Sequence, residues 1–156
     1  MELFLSTYVN KVDRKGRVSV PATFRASLAN QRFAGIVVFP SFIHAALEGG
    51  GIDRIEEMAT RLDSLPQFSE EYDNLSLIFA SAQQLPFDTE GRIVLPADLA
   101  AHAGIADSAA FVGLGRSFQV WEPDRLAEHT AMLRQRAREQ GARLPPPAAP
   151  AAPPRQ

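Results

Sequence analysis

The 156-residue chain has no cysteine, which excludes disulfides and thiolate metal sites and fits a reducing cytosol. Histidine is scarce. His44, His102 and His129 are scattered along the chain, with no H-E-x-x-H or similar ligand spacing. No G-x-S-x-G occurs, and Gly49-Gly50-Gly51 lacks the G-K-[ST] ending of a P-loop, so it reads as a flexible linker. No catalytic residue, metal, cofactor or small-molecule substrate is therefore expected. Nowhere do eighteen apolar residues run together, so no membrane span is predicted. The start, from Met1 to Asp13, carries Glu2 and no long apolar core, unlike a signal peptide.

What is present is enough for an ordinary core: 46% hydrophobic and 22% charged residues. The length fits one domain or two tightly fused halves. The net charge of −2 is unevenly spread. Residues 1–32 hold six basic residues (Lys11, Arg14, Lys15, Arg17, Arg25, Arg32) against Glu2 and Asp13, a balance of +4. Residues 33–156 hold ten basic against sixteen acidic residues, a balance of −6. Such asymmetry is a signature of a polyanion partner, although a solvated hairpin gives the same count by chance.

The strongest feature is an internal repeat. Val12-Asp13-Arg14-Lys15-Gly16-Arg17-Val18-Ser19-Val20-Pro21-Ala22 returns as Phe87-Asp88-Thr89-Glu90-Gly91-Arg92-Ile93-Val94-Leu95-Pro96-Ala97, with Asp, Gly, Arg, Pro and Ala at a constant offset of 75. Asp first and Gly fourth suit a type I turn, because the Asp side chain bonds nearby backbone N–H groups and Gly tolerates positive φ. After the turn, Val18 and Val20 face inward while Arg17 and Ser19 face outward. Ile93 and Leu95 alternate likewise with Arg92 and Val94. Pro21 and Pro96 are expected in the first turns of short helices, Pro21–Leu28 and Pro96–Ala103, the second closed by Gly104.

The echo continues through apolar strands at Gly35–Phe39 and Ala109–Gly113, with hairpin partners at Ala45–Glu48 and Phe118–Trp121. Helical periodicity marks Ile52–Leu62, ended by Pro66, and a segment capped by Ser69 with Tyr72, Leu75, Ile78, Phe79 and Ala82 inward. The apolar faces of both are expected to be core. A third helix runs from Pro123 to about Gln140, with Leu126, Thr130, Leu133 and Ala137 on one face. Gly141–Gln156 holds six of the twelve prolines and is expected to be disordered and polyproline-like. The expected layout is a first repeat over 1–50, connecting helices over 51–83, a second repeat over 84–124, a helix over 125–140 and a tail over 141–156.

With the duplicated D-x-K-G-R-x-x-x-P in view, the chain resembles the MraZ family from about Leu3 to about Arg138. The first copy, Asp13-Arg14-Lys15-Gly16-Arg17 through Pro21, fits the signature fully; the second has Glu90 where Lys is usual. The resemblance implies an α+β, β-rich fold: two intrachain repeats forming a swapped-hairpin β-barrel of the AbrB and SpoVT type, with accessory helices. It also implies ring-shaped homo-oligomers in the cytoplasm and nucleoid. These would bind tandem G-rich repeats in double-stranded promoter DNA of the division and cell-wall gene cluster, mostly repressing it.

The residues place the DNA surface consistently with that implication. A hairpin tip projecting Arg14, Lys15 and Arg17 is a positive protrusion, and phosphate neutralisation supplies most non-specific affinity. Arginine is the commonest specific partner of guanine. Arg17 and Lys15 are expected to be central, Arg14 and Lys11 to contact phosphates, and Arg92 to supplement them. Asp13, Gly16, Pro21, Asp88, Gly91 and Pro96 are expected to shape the two turns. An isolated D-x-x-G-R would more simply close a solvated hairpin; its duplication favours DNA. The rival reading is an antitoxin-like protein-binding module of the same fold.

Overall fold

A computed structural model describes residues 3–141 and 143–148. The order is β1 (Thr7–Lys11), β2 (Arg17–Ser19), α1 (Ala22–Ser27), β3 (Gly35–Pro40), β4 (Leu47–Gly50), α2 (Ile52–Ser64), α3 (Glu70–Ser81), β5 (Gln83–Pro86), β6 (Arg92–Val94), α4 (Ala97–Ala103), β7 (Ser108–Gly113), β8 (Phe118–Trp121) and α5 (Pro123–Gln140). The fold is α+β and β-rich.

Six strands form an antiparallel sheet in the order β1-β7-β8-β4-β3-β5, and β2 pairs with β6 as a separate ribbon. Each half therefore lends its first strand to the other: β1 lies on β7, and β5 lies on β3. The registers are related by exchange of the halves. Gly35 opposes Pro86 as Ser108 opposes Lys11. At the centre of the sheet Glu48 opposes Gln119, whose Nε2 donates to Glu48 Oε1 at 2.9 Å. Among the described residues the strands do not close into a barrel; β1 and β5 end the sheet.

Alternation along the short strands delivers the core. Val18, Val20, Ile93 and Leu95 turn inward from the ribbon to meet Ile36, Val38, Leu47, Leu85 and Phe111. Phe24 of α1 is fully buried at the centre of an aromatic cluster, with its ring 5.2 Å from Phe4 and 5.3 Å from Phe118. Edge-on pairs such as Phe4–Phe24 contribute about 0.5–1.5 kcal/mol each beyond the area they bury.

Several sequence expectations need correction. Pro21 and Pro96 do not sit inside the first helical turns. Each occupies the N-cap in extended conformation, one residue before α1 or α4, where proline's fixed φ suits both strand exit and helix entry. Gly104 does close α4, at φ +65°. The strand expected at Ala45–Glu48 lies at Leu47–Gly50, so Gly49 and Gly50 are buried strand residues, not linker, and Gly51 is the N-cap of α2. Glycine is needed at 49 because a Cβ there would meet the Phe118 ring at 2.5 Å. The apolar faces of α2 and α3 are mostly half-buried rather than core: only Ile52 of α2 is buried, and no residue of α3 is. These helices pack on β3 and on each other at the margin of the sheet. Ser69 caps α3 as expected, accepting from the Tyr72 N–H at 3.1 Å. Of the expected disordered tail, Gly141 caps α5, residues 143–148 are exposed without regular structure, and the remainder lies outside the described residues.

Replacing Gly49 by alanine overpacks Phe118 and should cost about 1–3 kcal/mol. At Gly50 a Cβ meets Arg54 no closer than 3.5 Å, an ordinary van der Waals contact, and alanine should leave stability unchanged or raise it by up to about 1 kcal/mol. Urea denaturation of both variants checks this; equal losses would contradict the packing described.

Candidate nucleic-acid interface

Two turns of the same design flank the ribbon. In the first, the Gly16 N–H donates to the Asp13 carbonyl at 3.0 Å, and Gly16 takes φ +80°. Asp13 Oδ1 accepts from the N–H groups of Lys15 and Arg17, at 2.9 and 2.8 Å, while its Oδ2 accepts from Arg17 Nε at 2.6 Å. In the second, Asp88 accepts from the N–H groups of Glu90 and Arg92, both at 2.9 Å, and from Arg92 Nε at 2.8 Å. Gly91 takes φ +77°. The N–H groups donated by Arg17 and Arg92 are the largest influence holding each carboxyl below the usual aspartate range, with the guanidinium contact adding to them. Each aspartate thus fixes its turn and aims the arginine that leaves it.

The turns also brace each other. The Gly16 carbonyl accepts from the Leu95 N–H at 2.8 Å, and the Gly91 carbonyl from the Val20 N–H at 3.2 Å. Between them Arg17 opposes Val94, Val18 opposes Ile93, and Ser19 opposes Arg92. Since Val18 and Ile93 point into the core, Arg17, Ser19, Arg92 and Val94 share the outer face. Sequence reasoning placed Arg17 and Arg92 on separate hairpins; the structure sets them diagonally on one two-stranded ribbon.

The two ends differ electrostatically. Arg14 and Lys15 are exposed at the first tip and form no ion pair with any described residue, and Lys11 is exposed at the end of β1. The second tip carries Thr89 and Glu90. Glu90 Oε2 pairs with Arg92 Nη2 at 2.8 Å, so Arg92 is held at both Nε and Nη2. Its hydrogen bond to Asp88, with the charges of Asp88, Glu90 and Asp13, raises its already high pKa. Arg17 is held at Nε alone, and its terminal nitrogens have no hydrogen-bond partner among the described residues.

Three neighbours were not singled out from the sequence. Asn10 donates from Nδ2 to the Ser19 carbonyl at 2.7 Å, tying β1 to the ribbon. Arg25 donates to the Val20 carbonyl at 3.1 Å and lies where a side chain on Gly91 would fall. Val94 is an exposed apolar residue beside Arg17. For Arg25 and Val94 the 75-residue offset was an available signal: it maps Arg25 to Ala100 and Ser19 to Val94, marking where the halves differ, and alternation already turned Val94 outward. Elsewhere, two of the three histidines expected to be scattered come together. His129 stacks on Trp121 and lies 4.7 Å from His44 between ring centroids. Burial, then the charges of His44 and Arg136, lower the His129 pKa. Among the described residues no three side chains cluster as metal ligands, and no helix is long and apolar enough to cross a membrane.

Comparison with known proteins decides the family. The chain is 42% identical to Transcriptional regulator MraZ of Gluconobacter oxydans (strain 621H), over 97% of this chain and 95% of that protein. The chain belongs to the MraZ family. Transcriptional regulator MraZ of Rickettsia bellii (strain OSU 85-389) is 44% identical over 89% of this chain and 94% of its own. That of Pelagibacter ubique (strain HTCC1062) is 44% identical over 86% and 88%. A family model described as "MraZ protein, putative antitoxin-like" matches residues 78–143, which include the second turn. The MraZ resemblance drawn from the duplicated motif therefore holds.

The depressed carboxyl pKa of Asp13 and Asp88 has a signed consequence. A folded pKa below the unfolded value means that each turn is stabilised above the unfolded pKa and loses that support as pH falls through the folded one. Carboxyl NMR titrations should give midpoints for both residues below the usual aspartate range, with the Arg17 and Arg92 amide shifts following. Normal midpoints would show that the carboxylates do not hold the turns.

Proposed function

We propose that this chain is a sequence-specific DNA-binding transcription regulator whose reading element is the outer face of the β2–β6 ribbon. The observation that carries the proposal is the pair of carboxylate-aimed arginines, Arg17 and Arg92, on that one face. A two-stranded ribbon fits the major groove, where an arginine takes guanine O6 and N7 in a bidentate pair. Arg17 reads a guanine, Lys15 supports it, Arg14 and Lys11 neutralise phosphates, and Arg92 assists. The names of the relatives support the regulatory role.

The finer proposals follow the family. The exchanged strands are the intrachain form of an AbrB-like swapped-hairpin barrel. One ribbon engages few bases, so several linked subunits, arranged as a ring, gain affinity by raising effective concentration along tandem G-rich repeats. The target is the promoter of the division and cell-wall cluster, which the protein represses in the nucleoid. An antitoxin-like role is the second reading, favoured by the description of the matching family model.

Gel shifts on duplexes carrying tandem G-rich repeats from the DNA upstream of this chain's own gene test the main reading. Log affinity should fall steeply with log salt, and Lys15→Ala should flatten the slope. Arg17→Ala should cost about 1–3 kcal/mol and relax sequence preference. Arg92→Ala should cost less, because Glu90 already holds its Nη2. Salt-independent affinity would sink the electrostatic account, and a loss at Arg92 equal to that at Arg17 would overturn their ranking.

A further inference from the structure

Val94 is 55% exposed at the end of β6, where the ribbon meets the first turn. Three of the four outer side chains, Arg17, Ser19 and Arg92, are polar or charged; Val94 is the one apolar member. It stands directly across from Arg17, and its Cγ1 lies beside Gly16, 3.8 Å from where a Cβ on that glycine would fall. A hydrophobic group is thus set against the most basic point of the surface, next to the arginine whose terminal nitrogens are unengaged by described residues.

The geometry matches one base step. Directly opposed residues on antiparallel strands have Cβ atoms about 4.5–5.5 Å apart, and successive bases of a strand are separated by about 3.4 Å along the helix axis. An arginine seated on guanine leaves its cross-strand neighbour over the adjoining base pair. The apolar group displayed in the major groove is the C5-methyl of thymine. Resting on the DNA-reading proposal above, we propose that Val94 is a specificity-determining residue that recognises the methyl of a thymine adjoining the guanine taken by Arg17.

The same offset that relates the turns places Ser19 where Val94 stands in the other half. Ser19 faces Arg92 across the ribbon. A serine hydroxyl bonds to several bases and has no preference for a methyl. The two ends of the ribbon therefore read different steps, guanine with thymine at the Arg17–Val94 end and no methyl at the Arg92–Ser19 end. This difference fixes the direction in which the chain lies on its operator.

The test begins with the full-length protein selecting duplexes from a random pool. In the enriched sequence each thymine is replaced in turn by deoxyuridine, which removes the methyl alone, and the adjoining guanine by 7-deazaguanine, which removes N7. Burying one methyl-sized group is worth about a fourfold change in affinity. Wild-type protein should lose about fourfold at one thymine beside an N7-dependent guanine. Val94→Ser, which copies Ser19 at an exposed site and should melt like wild type, should be indifferent to that deoxyuridine yet remain sensitive to 7-deazaguanine. Wild-type indifference to every deoxyuridine, or an undiminished methyl effect in Val94→Ser, would overturn the assignment while leaving the DNA-reading proposal standing. If no sequence is enriched, or if Arg17→Ala binds as wild type does, both proposals fall together.

Discussion

Val18 and Ile93 meet side by side across β2 and β6, both almost completely buried. With strands of only three residues each, the ribbon cannot stand on its own hydrogen bonds; two-stranded ribbons are marginal in water even when longer. Its inward residues must be anchored in the core. That anchoring forces the intervening residues outward, and so Arg17, Ser19, Arg92 and Val94 become a surface. A one-residue slip would bury two arginines and expose two core side chains, so register here is strongly specified. The glycine carbonyls reinforce it, each turn accepting from the strand that belongs to the other half.

On this frame the aspartates convert flexible side chains into directed ones. Arginine loses several rotamers when it binds, a cost of up to about 2 kcal/mol for a long side chain. Asp13 holds Nε of Arg17 and leaves its terminal nitrogens without a hydrogen-bond partner among the described residues, so part of that ordering would be complete before the proposed contact with DNA. Asp88 does the same for Arg92, but Glu90 then occupies another nitrogen and adds a negative charge to the same tip. The backbone of the two turns is equivalent; their electrostatics are not.

Much of this was legible in the sequence. Asp13, Gly16, Asp88 and Gly91 declared the turns because aspartate hydrogen-bonds the backbone ahead of it and glycine accepts positive φ, both local properties. The inward alternation of Val18, Val20, Ile93 and Leu95 was legible for the same reason. What was not legible depends on contacts between distant segments. Nothing local to Arg17 states that its cross-strand neighbour is Val94, 77 residues away. Gly49 and Gly50 looked like linker because the ring that requires a glycine, Phe118, lies in the other half. The apolar stripes of α2 and α3 were real, but periodicity cannot distinguish a helix in the core from one lying half-buried at the sheet margin.

Carrying both halves in one chain has a further physical consequence. Were the ribbon assembled from two identical chains, symmetry would make its tips the same, and any residue favourable at one end would be imposed on the other. Fusion removes that constraint while the paired strands preserve the geometry. The positions that the fold requires, Asp, Gly, Arg and the inward apolar pair, then stay alike in both halves. The outward ones differ: Lys15 against Glu90, Arg14 against Thr89, Ser19 against Val94, and Arg25 of α1 against Ala100 of α4. All of the first three lie on or beside the proposed reading face, and Arg25 braces the acidic tip from behind. Divergence on that surface, over a turn geometry kept the same, is what directional recognition requires and what closure of two solvated hairpins does not.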